Sequence, residues 1–199
     1  KYKKKVFIAQ GSEKGFGIPY AHGINDEILA KNPQFIQVVS CNTHNISSLI
    51  KTLSPSMHTL VYGDFTCIRR ANDISQAGSY IASPEVGVHS DARFGTHHAR
   101  DTYDLFSTLR KSPNIFSSAL KTNTQYMHII RFMMQVKGHM PKERAIECFR
   151  ENKFTSITHK TLTNKVFSFG RDHGYYGRIF NHTVVSIPAL YIGQLSGES

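Results

Sequence analysis

Three short apolar runs in the first third of the chain, separated by segments of helical character, restrict its fold more than any other feature. "KVFIA" (5–9), "FIQVVS" (35–40) and "HTLVYGDF" (58–65) are continuous rather than alternating, the pattern of strands covered on both faces. Between them, "NDEILAK" (25–31) and "ISSLIKTL" (46–53) read as helices. Asn25 stands at the capping position of the first, and Asp26 and Glu27 suit its positive end. Alternation of this kind predicts an α/β layer with at least partly parallel pairing.

Beyond that layer, residues 66–95 read as loops with one helix near 73–82. "DTYDLFSTLRK" (101–111) places Tyr103, Phe106 and Leu109 on one face of a helix that Pro113 stops. "TQYMHIIRFMMQVK" (124–137), apolar on nearly every side, predicts a central core helix. "PKERAIECFREN" (141–152) has Pro at the first helical position. "ITHKTLTNKVFSFG" (157–170) repeats Leu162, Val166 and Phe169 on one face and ends in Gly170. "YYGRIFNHTVVSIP" (175–188) reads as two strands around a tight turn at Asn181 and His182. The expected class is α/β or α+β: an α/β subdomain over 1–100, then a mainly helical subdomain over 101–199.

Helix, short turn, second helix and two-stranded ribbon, over about 140–188, resemble a winged helix-turn-helix. That resemblance implies that the second helix enters the DNA major groove and the ribbon touches the backbone. It would turn Thr158, His159, Lys160, Thr163 and Asn164 to bases or phosphates, and Lys153, Arg171 and Arg178 to phosphates. Charge points the same way. The 199 residues carry 24 Lys and Arg against 14 Asp and Glu, a formal net charge of +10, and basic surfaces of this kind meet polyanions. The leading expectation is a basic DNA-binding protein, sequence-specific or architectural, with DNA ahead of RNA as partner and no cofactor or resident metal. Lys3, Lys4, Lys5, Arg69 and Arg70 would add phosphate contacts. Self-association and membership of a larger complex stay open.

A rival expectation is an enzyme acting on nucleic acid, a nuclease or strand-transfer enzyme, centred on "RFGTHHARDTY" (93–103). His97 and Arg100 form an HxxR pair that, with Tyr126, resembles part of a tyrosine recombinase. The resemblance implies that Arg and His hold the scissile phosphate while Tyr attacks it. Arg93 and His98 have the RxxxxH spacing of a metal-free HEPN-type ribonuclease, although Gly95 interrupts the helix that family requires. His89, Asp91, His97 and His98 are also chemically suited to a divalent metal. So is Asp64 at a strand end, with Asp73, Glu85 or Asp91 as partner carboxylates. A protein-interaction domain is the third expectation.

Other features bound these readings. "GSEKGFG" after the first strand fits neither GxGxxG nor GxxxxGK[ST], although Lys14 and the backbone amides can meet an anion. Cys41, Cys67 and Cys148 are odd in number and unpaired in spacing, which predicts no disulfide framework and a reducing, intracellular compartment. No run approaches the roughly 18 apolar residues of a membrane span. The first residue is Lys rather than Met, so a piece of a longer protein is expected.

Overall fold

The computed structural model describes residues 2, 4–11, 13–71, 81–124, 127–172 and 183–194, the side chains of 169–172 excepted. The chain divides into two compact units, Lys1–Val136 and Lys137–Ser199. The α/β class holds.

In the first unit, β1 (Phe7–Gln10), β2 (Ile18–Tyr20) and β3 (Phe35–Val38) form a parallel three-stranded sheet with β3 in the middle. The "NDEILAK" stretch is a 3₁₀ helix, Asp26–Lys31. Asn25 precedes it without capping it. Its fully buried side chain instead accepts the Ala21 N–H and donates to the Pro19 carbonyl and Thr108 Oγ1. After β3 comes α1 (Cys41–Leu53), which starts five residues earlier than its apolar spacing predicts. Ser40 is the reason: its hydroxyl accepts the Thr43 N–H and starts the helix ahead of its apolar face. Ile46, Leu49 and Ile50 are buried, and α1 packs on the helix α2 (His97–Ser107).

A mixed four-stranded sheet completes this unit. It comprises β4 (Leu60–Arg69), β5 (Glu85–Val86), β6 (Ile115–Lys121) and β7 (Ile129–Val136), in the order β5-β6-β4-β7. β4 pairs with β6 in parallel and with β7 antiparallel, Phe65 lying opposite Ser117 and Phe132. The expected core helix over 124–137 is therefore β7. A continuous apolar run does not separate a buried helix from a strand by periodicity, and exposure here alternates residue by residue from Ile129 to Met134. Phe132 turns inward and stacks on Phe65 at 6.4 Å. The helix expected near 73–82 falls almost wholly outside the described residues.

The second unit holds α3 (Lys142–Glu151), β8 (Thr155–Thr158), α4 (Thr163–Asp172) and β9 (Thr183–Ser186). Ala145 and Phe149 of α3 are buried, and α3 packs on β8. The winged-helix-like ending is not confirmed. β8 occupies the start of the expected second helix, so α4 begins only at Thr163. β9 falls on the second strand of the expected ribbon and pairs in parallel with β8. Residues 175–182 of that ribbon lie outside the described residues. The half expected to be mainly helical thus contains β6, β7, β8 and β9. No helix among the described residues is long and apolar enough to cross a membrane.

Candidate functional site

The site forms where β3 hands over to α1. In parallel sheets, ligands gather beyond the carboxyl ends of strands, where helix N-termini present unpaired amides. Val38 ends β3, Ser40 caps α1, and Cys41 is the first helical residue, its side chain exposed. The sulfur lies 3.6 Å from Nδ1 of His128, just ahead of β7. That same nitrogen is 3.0 Å from Oδ1 of Asn42, and Nδ2 of Asn42 is 3.2 Å from Nε2 of His98. Two histidines from distant parts of the chain thus meet on the residue beside an exposed thiol.

His98 is 2% exposed, and burial above all holds its imidazole neutral down to about pH 3. Neighbouring His97, Arg69 and His128 push in the same direction. Its ring lies 4.0 Å from that of His97. Burial also lowers the pKa of His97, assisted by Arg69, Lys14 and Arg100 and opposed by Asp101. Lys14, from the glycine-containing loop, meets Asp101 at 2.6 Å. Cations from three segments therefore act on His97.

Acid sensitivity follows, with a definite sign. An unfolded histidine takes up its proton near the ordinary value of 6.5, whereas folded His98 resists until about 3. Stability is therefore full above that ordinary value and is lost as pH falls through the window, by up to about 1.4 kcal/mol per pH unit for each such histidine. His44 and His97, also lowered by burial, add to the slope. Denaturation midpoints should fall between about pH 6.5 and about pH 4.5, above most carboxylate titration. A flat profile there would contradict the buried neutral pair.

The other expected catalytic residues are dispersed. Arg93 lies over the rings of Phe94 and Tyr103, at 4.7 and 4.6 Å. Asp91 caps a turn by accepting the N–H groups of Arg93 and Phe94, and Arg100 reaches it at 3.4 Å. His89 packs edge-on to Phe116 and bonds to Ser118. Asp64 lies mid-strand in β4, not at a strand end, and its Oδ1 is buried with no hydrogen-bond partner among the described residues. Glu85 opens β5. Tyr126 and Asp73 lie outside the described residues. No group of three or more His, Cys, Asp or Glu among the described residues could hold a metal ion.

The residues expected to contact DNA lie in the second unit. Lys153 is exposed over the Phe154 ring, His159 and Lys160 are exposed after β8, and Thr163 and Asn164 open α4. Arg171 is in α4 with its side chain undescribed, and Arg178 lies outside the described residues.

Cys41, Asn42 and His128 are functional residues that no spacing pattern in the sequence marks. "VVSCN" nevertheless carries a usable signal: a strand, a capping serine and then a cysteine at a helix start.

No family model matches the chain. It is similar to proteins named glyceraldehyde-3-phosphate dehydrogenase. The one from Sulfolobus acidocaldarius is 27% identical over 204 residues, covering 96% of this chain and 55% of that protein. Those from Pyrococcus furiosus and Thermococcus onnurineus are 28% and 30% identical over 174 residues, covering 83% of this chain and 48% of each relative. The chain spans about half the length of the curated relatives it matches.

These similarities overturn the DNA-binding expectation and both of its rivals. The likeness to dehydrogenases runs over most of the chain, including the 140–188 stretch in the longest match. With it goes the expected nucleic-acid partner. The expectation of no cofactor is corrected as well, because a dehydrogenase needs an acceptor for the electrons it removes.

Proposed function

We propose that this chain carries the thiol site of a dehydrogenase acting on a phosphorylated aldehyde, the substrate type named in glyceraldehyde-3-phosphate dehydrogenase. The observation that carries this reading is the exposed Cys41 sulfur on the first turn of α1, 3.6 Å from a histidine nitrogen. A cysteine beside an imidazole is the pairing that nucleophilic attack on a carbonyl uses.

Cys41 Sγ adds to the aldehyde carbon. The S–C bond forms as the C=O π bond breaks, and the electron pair moves to oxygen; the proton the thiol gives up passes through a neighbouring imidazole to that oxygen, leaving the imidazole neutral. The product is a thiohemiacetal, whose carbon is then the centre to be oxidised. Cys67 is unsuited to the role: it is fully buried in β4, and burial pushes its thiol up to about 12.

Dehydrogenases of this name imply a nicotinamide dinucleotide as acceptor. The described residues do not fit one. β1 passes through the loop holding Gly11, Gly15 and Gly17 into β2, not into a helix whose N-terminus would hold the phosphates. The chain's own work is capture and orientation of the aldehyde.

Lys14, Arg69 and Arg100, which together depress the protonation of His97, supply charge for the substrate phosphate. Charge-assisted hydrogen bonds contribute about 1.5–3 kcal/mol, so Arg69→Ala should raise KM for glyceraldehyde 3-phosphate by roughly 10- to 100-fold. KM for unphosphorylated glyceraldehyde should stay the same. Equal losses on both aldehydes would remove Arg69 from phosphate recognition. The reading as a whole is tested by covalent capture: glyceraldehyde 3-phosphate that leaves the Cys41 thiol as open to iodoacetamide as before would sink it.

A further inference from the structure

We propose that Asn42 is a positioning residue whose side-chain amide joins His98 and His128 into one oriented hydrogen-bond chain and holds the Nδ1–H of His128 on its own oxygen, with that nitrogen beside the Cys41 sulfur. The role for Cys41 rests on the function proposed above; the orientation of the chain does not.

The proposed direction starts at Ser117, whose Oγ accepts the Ala99 N–H and has the carbonyls of Phe94 and Thr96 within reach of its own hydrogen, each 3.4 Å away. In that direction Thr96 Oγ1, 2.6 Å from Ser117 Oγ, donates to it. Having given up its only hydrogen, Thr96 accepts from His98 Nδ1 at 3.0 Å. A neutral imidazole carries one N–H, so His98 Nε2 is bare and accepts from Asn42 Nδ2. Asn42 Oδ1 accepts in turn, and the atom facing it is Nδ1 of His128, which must carry a hydrogen. That Nδ1 is the one beside the sulfur.

Burial makes the order strict. Ser117, His98, Asn42 and Thr96 are 0, 2, 3 and 5% exposed, so water cannot replace a lost partner cheaply. The charged and titratable surroundings are His97, Arg69 and His128 around His98, and Arg69 and Cys41 around Cys67. Lys14, Arg69, Arg100 and Asp101 surround His97. Among all of these, Asn42 is the group that touches both His98 and His128.

Long-range proton–nitrogen NMR spectra of the histidine rings read this directly in the unmodified protein. Both His98 and His128 should be Nδ1–H tautomers near neutral pH; either ring found as Nε2–H overturns the proposal. In Asn42→Asp the carboxylate only accepts, so His98 must move its hydrogen to Nε2 or become charged. Alkylation of Cys41 by iodoacetamide should then slow about tenfold near neutral pH, with its pH profile displaced upward by about one unit. An unchanged profile in a folded Asn42→Asp protein would also overturn the proposal. These readouts need no aldehyde turnover, so failure of the dehydrogenase reading and failure of the Asn42 role are told apart.

Discussion

Cys41→Ser should remove covalent capture of the phosphorylated aldehyde, and with it any turnover that passes through the thiohemiacetal, by at least roughly 10³-fold while leaving the fold intact. The side chain is exposed at a helix start, and serine is close to it in size, so little packing is lost. What goes is the thiolate, because a serine hydroxyl holds its proton far more tightly and would need a strong base to attack a carbonyl. Cys148→Ser, in α3 of the second unit, is the matched control and should leave turnover unchanged. Parallel kinetics and thermal denaturation of the two variants check this. Retention of more than about a tenth of parental turnover in Cys41→Ser would place the nucleophile elsewhere.

The largest expected effect on stability comes from Gly95→Ala. Gly95 has φ +72°, a region an L side chain adopts only with strain. Its backbone bridges to Asp91 and to Ser117, which fixes the entry into α2 and therefore the placement of His97 and His98. A Cβ there would press on the Ser117 carbonyl oxygen and stand 2.5 Å from the Phe116 ring. The oxygen belongs to β6 and cannot retreat without breaking the sheet. Left-handed strain of about 1–2 kcal/mol and overpacking of about 1–3 kcal/mol together predict a loss of roughly 3 kcal/mol or more. For a chain of this size that lowers Tm by about 10 °C. A loss below about 1 kcal/mol would show that the turn relaxes freely.

The strands β1, β3 and β4 and the helix α3 were legible because each is a short periodic or continuous apolar segment whose neighbours in sequence are punctuation. β7 was not, since "HIIRFMMQV" satisfies helix and strand equally until its partner β4 is known. The start of α1 was hidden because "CNTHN" has no apolar stripe; a serine hydroxyl fixes it instead. The site shows the same limit more sharply. His97 and His98 stand out in the sequence, but Asn42 meets His98 across 56 residues and His128 across 86, a proximity no single-chain pattern encodes. Charge misled in a different way. A surplus of cations speaks of phosphate, and a phosphate monoester calls for the same Lys and Arg as a nucleic-acid backbone.

Competition for the three thiols tests the central claim most directly. The protein is treated with less than one equivalent of iodoacetamide, with and without glyceraldehyde 3-phosphate, and the modified cysteine is located by peptide mass spectrometry. Cys41 should take nearly all of the label, and the phosphorylated aldehyde should protect it while unphosphorylated glyceraldehyde protects far less. Label on Cys148 ahead of Cys41, or labelling of Cys41 that the phosphorylated aldehyde leaves untouched, would contradict a thiol site built to capture that substrate.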